Sequence, residues 1–215
     1  MNIEGIIFDL DGTLVDTIED IGDATNTLLK KHGYPQYTTE DFIGWIGNGA
    51  AKFIEEAMGE EIDPAQLKNF VSEFKEIYSE NLHNKSKLYD GISKVLDELT
   101  SRDLKLAILS NKPHHLTEAV VRFYLSDWEF DPVFGQRVHV PRKPDPAGAI
   151  EIAYLMGIET DRILFVGDSL GDLKTSKAAG MVPVGVSWGY GLRESLSKNE
   201  GTLIHHPKEL LPLID

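Results

Sequence analysis

Four short apolar segments set the strongest limit on how this chain can fold, because each has the length of a strand and is followed by a stretch with helical spacing. Short, continuously apolar strands that alternate with helices are typical of a parallel sheet covered on both faces. The segments are Ile3–Phe8, Leu104–Ser110, Arg162–Asp168 and Met181–Ser187. The pattern predicts an α/β fold, Rossmann-like, in which a parallel sheet is the middle of three layers.

The helices of this core are predicted from the apolar spacing between the later strands. They are Gly91–Thr100, Leu116–Tyr124, Ala147–Gly157 and Asp172–Gly180.

Residues 15–87 interrupt the alternation, since the first strand is followed by several amphipathic helices and we predict no strand in this block. The predicted helices are Thr17–Lys31, Ala50–Met58 and Pro64–Leu82. Asp16 has the side chain of a helix N-cap. We therefore predict two domains, an α/β core of residues 1–14 and 88–215 and an inserted helical domain of residues 15–87.

Composition limits the functional classes. The chain of 215 residues contains no cysteine, which excludes a disulfide framework, thiolate catalysis and cysteine-ligated zinc. No apolar stretch approaches the ~20 residues of a membrane span, and the first residues lack a basic signal-peptide region. We expect a cytoplasmic protein with no membrane partner.

The formal net charge of −14 argues against a nucleic-acid partner, because phosphate backbones require a basic surface. It does not exclude a small anionic substrate. A bound divalent cation and a few lysines can reverse the sign of one pocket while the rest of the surface stays acidic.

Polar side chains end three of the predicted strands. Asp9 ends the first strand, Ser110 the second and Asp168 the third. In an open parallel sheet the ligand crevice lies at the carboxyl ends of the strands, so these residues should converge there despite their separation along the chain.

Two aspartates follow the first strand closely, and Asp9 and Asp11 project to the same side of extended backbone. Such neighbouring carboxylates repel unless one is protonated or a cation lies between them. With Asp168 and Asp172 they form an oxygen-only set of four carboxylates that suits Mg²⁺. Lys143 adds a compact positive charge, and the combination fits phosphoryl transfer.

Four motifs in order resemble those of the haloacid dehalogenase superfamily, in its phosphatase branch, over essentially the whole chain. They are "DLDGTLVDT" from Asp9, "LSN" at Leu109–Asn111, Lys143 in "KPDP", and "GDSLGD" around Asp168. Within the superfamily, "WIGNGA", "SNKP", "MGI" and "GYG" most resemble phosphoglycolate phosphatases. The resemblance implies a Mg²⁺-dependent hydrolase of a small phosphorylated metabolite.

The resemblance also implies roles for the acidic residues. Asp9 attacks phosphorus and carries an aspartyl-phosphate intermediate, while Asp11 protonates the leaving alcohol and then activates water. The main-chain carbonyl of Asp11 binds Mg²⁺, and Asp9 belongs to the same metal site. Asp168 is a side-chain metal ligand, and Asp172 holds the metal or its waters. Asp172 has a competing interpretation as a simple cap of the helix that follows.

Phosphate contacts are implied for a second group of residues. Ser110 and Asn111 hold phosphate oxygens, and Lys143 pairs with the nucleophile and the phosphoryl group. Gly12 and Thr13 belong to the first loop, where backbone amides can approach phosphate closely.

By the same resemblance, the inserted block is a cap over the site, with hinges near Leu14–Asp16 and Lys85–Asp90. Asn48, Gly49 and Lys52 lie at a predicted helix N-terminus that suits an anion such as a carboxylate, and they are our candidates for substrate specificity. For Lys52 we favour the competing interpretation, a solvated helix charge, over that of a ligand.

Several alternatives remain open. A metal-free haloacid dehalogenase shares the fold, but Asp11 argues against it. A non-enzymatic phospho-acceptor module gathers similar residues but leaves the inserted block unexplained. Within the phosphatases, the rivals are a pyrophosphatase, a nucleotidase and a sugar-phosphate phosphatase or phosphomutase.

Overall fold

The computed structural model describes residues 2–59, 61–191 and 201–214 of the chain. Its centre is a parallel sheet of six strands in the order β5-β4-β1-β6-β7-β8. These strands are β1 (Gly5–Phe8), β4 (Lys105–Pro113), β5 (Val133–Gln136), β6 (Ile163–Gly167), β7 (Val182–Val186) and β8 (Thr202–Ile204). A separate antiparallel ribbon pairs β2 (Val15–Asp16) with β3 (Lys87–Leu88).

Eight α-helices are described. They are α1 (Ile18–Lys31), α2 (Thr39–Trp45), α3 (Ala50–Met58), α4 (Pro64–Ser79), α5 (Ile92–Ser101), α6 (His114–Tyr124), α7 (Ala147–Met156) and α8 (Leu170–Ala178). Short 3₁₀ helices cover Thr160–Arg162 and Pro207–Leu213. No helix in the described ranges combines the length and the apolar character of a membrane span.

Helices cover both faces of the sheet because successive strand residues point in opposite directions. Ile6 and Phe8 of β1 belong to a large apolar core that includes α5 and α6. Ile7 belongs to a second core, with α7 on the other face. This three-layer arrangement confirms the predicted α/β fold class.

The ribbon stands where the chain leaves the sheet for helices α1–α4 and where it returns. Val15 pairs with Leu88 and Asp16 with Lys87, so the two crossings run side by side. Helices α1–α4 share an apolar interior with a cluster of aromatic rings, which includes Phe42, Phe53, Phe74 and Tyr78. The division into domains at residues 14/15 and 87/88 stays a prediction.

Several predicted elements need correction. The expectation of no strand in residues 15–87 was wrong, because the ribbon begins and ends this block with paired strands too short to show a pattern. Helix α2 and the short strands β5 and β8 were not predicted. Asp16 lies in β2 and does not cap α1, whose N-cap is Thr17. Helix α4 ends at Ser79 and not at Leu82.

Candidate active site

A cavity of about 230 Å³ lies at the carboxyl edge of the sheet, between the strand ends and helices α1–α4. Its lining joins polar groups from the sheet to apolar groups from the helices. From the sheet side come Asp9, Asp11, Ser110, Asn111, Lys143 and Asp168; from the helical side come Asn48, Gly49, Phe53, Phe74 and Tyr78. The predicted convergence of the strand ends is therefore present in the structure.

Three carboxylates form a buried cluster in this cavity and its wall. Asp9, Asp168 and Asp172 each offer an oxygen, and these oxygens lie within 4.8 Å of one another. The Lys143 ammonium joins them, with Nζ 2.8 Å from Oδ1 of Asp9 and 2.7 Å from Oδ1 of Asp172. Residues from three separate parts of the chain thus share one small volume.

The charges in the cluster do not balance, because three carboxylates face a single ammonium. Burial raises the pKa of the Asp9 carboxyl to about 8, and Asp172 and Asp168 add to the effect although Lys143 opposes it. Burial and the Asp172 carboxylate raise the pKa of Asp168 to about 7. Burial alone would lower the pKa of Lys143, but Asp172 and Asp9 outweigh it and raise that pKa.

The donor set fits a hard divalent cation. Two negative charges of the cluster lack a counter-charge among the described residues, and every donor is an oxygen. Small hard cations prefer carboxylate and carbonyl oxygens over nitrogen or sulfur. A doubly charged ion would therefore offset the repulsion between the carboxylates, which adds to the effect of burial on the pKa values of Asp9 and Asp168.

Asp172 caps a helix and also belongs to the acidic cluster, where its metal role stays a prediction. Its Oδ2 accepts hydrogen bonds from the Ser169 amide, at 3.0 Å, and hydroxyl, at 2.6 Å, and completes a capping box at the start of α8. Its Oδ1 accepts from Lys143. The same side chain therefore begins the helix and contributes to the acidic cluster.

The Asp11 carboxylate does not join the cluster and faces the helical side instead. It accepts a hydrogen bond from the Thr17 hydroxyl at 2.6 Å and from Nζ of Lys112 at 3.0 Å. The two carboxylates of the first motif, two residues apart in sequence, are thus held by different cations: Lys143 for Asp9 and Lys112 for Asp11.

Lys112 was given no role from sequence. Its side chain is buried and also donates to the Tyr78 hydroxyl of α4 at 2.8 Å. A signal was present, because β4 continues to Pro113 and residues two apart on a strand share a face, so Lys112 follows Ser110 into the site. The predicted strand ended at Ser110, which hid this relation.

Asn111 organises two loops through its side chain. Its amide nitrogen donates to the Gly47 carbonyl at 2.9 Å and to the Lys143 carbonyl at 3.1 Å, and its oxygen accepts from the Lys143 amide at 3.0 Å. Neighbouring Ser110 accepts a hydrogen bond from the Lys112 amide. The side chain of Asn111 is therefore used to fix Lys143 and the loop before α3.

Gly12 and Thr13, which were predicted to contact phosphate, are not among the described residues that line the cavity. Gly12 has φ +83°, and a Cβ there would collide with the Asp168 carboxylate and the Tyr190 ring. The Thr13 carbonyl accepts a hydrogen bond from the Trp188 indole, while its buried hydroxyl has no partner among the described residues.

Two of the three residues predicted for specificity line the cavity, and the third does not. Asn48 and Gly49 line the cavity next to the start of α3. Lys52 is exposed, forms ion pairs with Glu55 and Glu56 at 2.9 Å each, and is not among the described lining residues. Arg142 donates to the Asn48 carbonyl at 2.7 Å and tethers this loop to the core.

Residues 188–191, which follow β7, link the acidic cluster to β2 and the start of α1, where the chain leaves the sheet. The amide of Tyr190 donates to Oδ2 of Asp168 at 2.6 Å. Its hydroxyl donates to Asp16 at 2.8 Å and accepts from the amides of Thr17 and Ile18. One tyrosine thereby holds both a cluster carboxylate and the start of α1.

These observations define a class: a parallel α/β protein with an all-helical insertion and a lysine-supported carboxylate cluster at the carboxyl edge of its sheet. The family of haloacid dehalogenase-like hydrolases matches residues 6–186, and the chain belongs to this family. The resemblance stated from the four motifs is confirmed.

Relatives and solved structures agree with this family. A phosphoglycolate phosphatase of Haemophilus influenzae is 34% identical over 199 residues, covering 87% of this chain and 89% of the relative. One from Pseudomonas syringae pv. tomato is 30% identical and covers 96% of this chain and 78% of its own. The structure of a predicted phosphoglycolate phosphatase from Haemophilus somnus superposes with a TM-score of 0.91 at 28% identity, covering 100% and 99% of the two chains.

Proposed function

We propose that the protein is a Mg²⁺-dependent phosphomonoesterase whose principal substrate is 2-phosphoglycolate. The observation that carries the proposal is the pairing of Asp9, within the acidic cluster, with Asp11, held apart from it in the same cavity. This pairing supports a nucleophile and a proton carrier that act side by side. The names of the relatives support the choice of substrate.

Asp9 is suited to attack phosphorus. Its Oδ1 is fixed by the Leu10 amide at 2.7 Å and by Lys143 at 2.8 Å, whereas Oδ2 receives no hydrogen bond from the described residues. In the proposed reaction an Asp9 oxygen forms a bond to phosphorus as the bond to the leaving oxygen breaks. The product is an aspartyl phosphate and the free alcohol.

Asp11 carries the proton in both halves of the reaction. It donates a proton to the leaving oxygen in the first half and accepts one from the attacking water in the second. Hydrolysis of the acyl phosphate releases inorganic phosphate and restores Asp9. Hydrogen bonds from Thr17 and Lys112 keep the Asp11 carboxylate on the side of the cavity where the leaving group would lie.

The phosphoryl group is proposed to lie between the Ser110 hydroxyl and the Lys143 ammonium, next to Asp9. Lys143 offers positive charge to its oxygens while it orients the nucleophile. Mg²⁺, when bound by Asp9, Asp168 and Asp172 with the Asp11 carbonyl, would neutralise charge on the carboxylates and phosphate. Asn48 and Gly49 are proposed to lie beside the leaving group.

A substrate panel tests the proposal. We expect 2-phosphoglycolate to give the highest kcat/KM among phosphorylated metabolites that include pyrophosphate, nucleotides and sugar phosphates. If another phosphomonoester ranks first, the choice of substrate is wrong while the reaction class stands. If none is hydrolysed with Mg²⁺ present, the proposed reaction is wrong.

Removal of the metal is a second test. We expect EDTA to abolish hydrolysis, because the acidic cluster and the phosphate would then repel each other, and excess Mg²⁺ to restore it. The measurement is the initial rate with p-nitrophenyl phosphate before chelation, after it and after Mg²⁺ is returned. Full activity in EDTA would contradict the metal dependence.

A further inference from the structure

The Lys112 ammonium lies in the cavity, and the proposed reaction uses it only to position Asp11. Its side chain is 3% exposed, and Nζ lies 3.0 Å from Oδ1 of Asp11 and 2.8 Å from the Tyr78 hydroxyl. An ammonium has three N–H donors. Asp11 accepts from Nζ through both Oδ1, at 3.0 Å, and Oδ2, at 3.2 Å, and Tyr78 accepts a third hydrogen bond. A ligand carboxylate in the cavity that all three residues line would take the place of the longer contact to Asp11.

The Tyr78 hydroxyl has an unused proton beside Lys112. It is buried and accepts a hydrogen bond from Lys112, but its own proton finds no acceptor among the described residues. Burial is the main cause that raises the Tyr78 pKa, so the hydroxyl keeps this proton. A buried donor without an acceptor is unfavourable unless a ligand or water supplies one.

Lys112 is also at the right end of the cavity for a leaving group. It contacts Asp11, the proposed proton donor to the leaving oxygen, whereas Lys143 contacts the nucleophile Asp9. In 2-phosphoglycolate one carbon separates the leaving oxygen from the carboxylate. The carboxylate must therefore lie close to Asp11, which becomes negative once it has given its proton to the leaving oxygen. The two negative groups would then repel without a cation beside them.

Other cations near the cavity are committed elsewhere. Among the residues of the described ranges that line it, the cations are Lys112 and Lys143. Lys143 is held between Asp9 and Asp172. Lys52 pairs with glutamates on the surface of α3, and Arg142 donates to the Asn48 carbonyl.

We propose that Lys112, with the Tyr78 hydroxyl as a second donor, binds the carboxylate of the leaving group and selects phosphate esters of short hydroxy acids. The inference rests on the proposed function and assigns the specificity for an acidic leaving group to Lys112 instead of Lys52. Tyr78 belongs to α4, so the proposed carboxylate site uses one group from the sheet and one from the helical insertion.

The test compares 2-phosphoglycolate with its carboxamide, which has nearly the same shape without the negative charge. The readout is the ratio of their kcat/KM values. We expect the wild type to prefer the carboxylate by about tenfold or more, as a charge-assisted hydrogen bond would give. Lys112→Met should bring the ratio close to one, and Tyr78→Phe should reduce it about two- to tenfold.

Lys68→Met is the matched control, because Lys68 is an exposed lysine of α4 that is not among the described lining residues. Its ratio should equal that of the wild type. Lys112→Met will also disturb Asp11. Impaired proton transfer by Asp11 lowers the rates for both esters equally, so it does not by itself account for a change in their ratio.

The outcomes separate the two levels of the proposal. An unchanged ratio in Lys112→Met, with both rates lowered equally, would show that Lys112 only positions Asp11 and would overturn the carboxylate site. A wild type that hydrolyses both esters equally well would also overturn it and leave the phosphatase intact. Failure of the wild type to hydrolyse either ester would contradict the proposed function as well.

Discussion

Two aspartates of one short loop show how strongly surroundings decide the role of a side chain. Asp9 and Asp11 are chemically identical, yet Asp9 lies among carboxylates with Lys143 while Asp11 faces Thr17 and Lys112. The pKa of Asp9 is raised to about 8, mainly by burial. In the proposed mechanism the first carboxylate attacks phosphorus beside the proposed cation site, and the second transfers the proton.

Asp9→Asn should remove turnover of p-nitrophenyl phosphate, with a loss on the order of a thousandfold or more, because the amide is not a nucleophile at this position. The same change should raise the melting temperature of the metal-free protein by a few degrees at pH 8, since it removes a buried charge that the fold disfavours. Steady-state rates and thermal scans measure the two effects. Retained turnover would rule out Asp9 as the nucleophile.

Most of the candidate site was predictable residue by residue, because its members end apolar strands or stand in recognisable motifs. The position of Lys112 in the site was not predicted. A lysine in a polar stretch is usually a surface residue, and the sequence did not show that β4 continues through Lys112. Tyr78 and the Tyr190 contacts could not be predicted, because they depend on how distant elements pack.

At the scale of elements, the predictable parts were those with long or strongly apolar patterns. Helices α1, α3 and α4 and strands β1, β4, β6 and β7 were found near their observed positions. Helix α2 has seven residues, β8 has three, and both strands of the ribbon have two, too few for a periodic pattern to emerge. Tertiary pairing stabilises these short elements.

The segment just before β3, where the chain returns to the sheet, is hydrogen-bonded to a buried carboxylate of α1. Asp20 accepts hydrogen bonds from the amide of Ser86 at 2.8 Å, its hydroxyl at 2.6 Å and the amide of Lys85 at 3.0 Å. Asp20→Ala should lower the free energy of unfolding by about 1–3 kcal/mol, because it removes the buried acceptor of three hydrogen bonds from partly buried donors. Urea unfolding monitored by circular dichroism measures the change.

Asp23→Ala provides the comparison for Asp20, since Asp23 lies on the same helix and pairs with Lys85 at the surface. Exposed ion pairs contribute little, so its effect should stay below about 1 kcal/mol. Equal losses in both variants would contradict the importance assigned to the buried hydrogen bonds.

For the whole molecule, the acidic cluster couples stability to pH and to metal. The pKa values of Asp9 and Asp168 are about 8 and about 7, above the ordinary value near 4 for an unfolded chain. The folded protein therefore holds more protons than the unfolded one, and the metal-free fold loses stability as the pH rises from about 4 to 8. A divalent cation would offset that loss by neutralising the ionised cluster.

We therefore expect Mg²⁺ to raise the melting temperature more at pH 8 than at pH 6, because at pH 6 the ion must displace bound protons. Thermal scans with and without Mg²⁺ at the two pH values measure the difference. Asp168→Asn is the matched variant, and its increment should be small at both. An increment that stays constant or falls with pH would contradict this coupling.

The paired crossings also bear on how such a protein can diversify. Because β2 and β3 lie side by side, the ends of the helical insertion meet at one point on the rim of the sheet. Lengthening, shortening or replacing the segment between them need not alter the register of any strand that carries Asp9, Ser110 or Asp168. Under the proposed function, evolution can therefore exchange the helical insertion as a module, which alters the alcohol that is admitted while the proposed phosphoryl chemistry of the core is inherited unchanged.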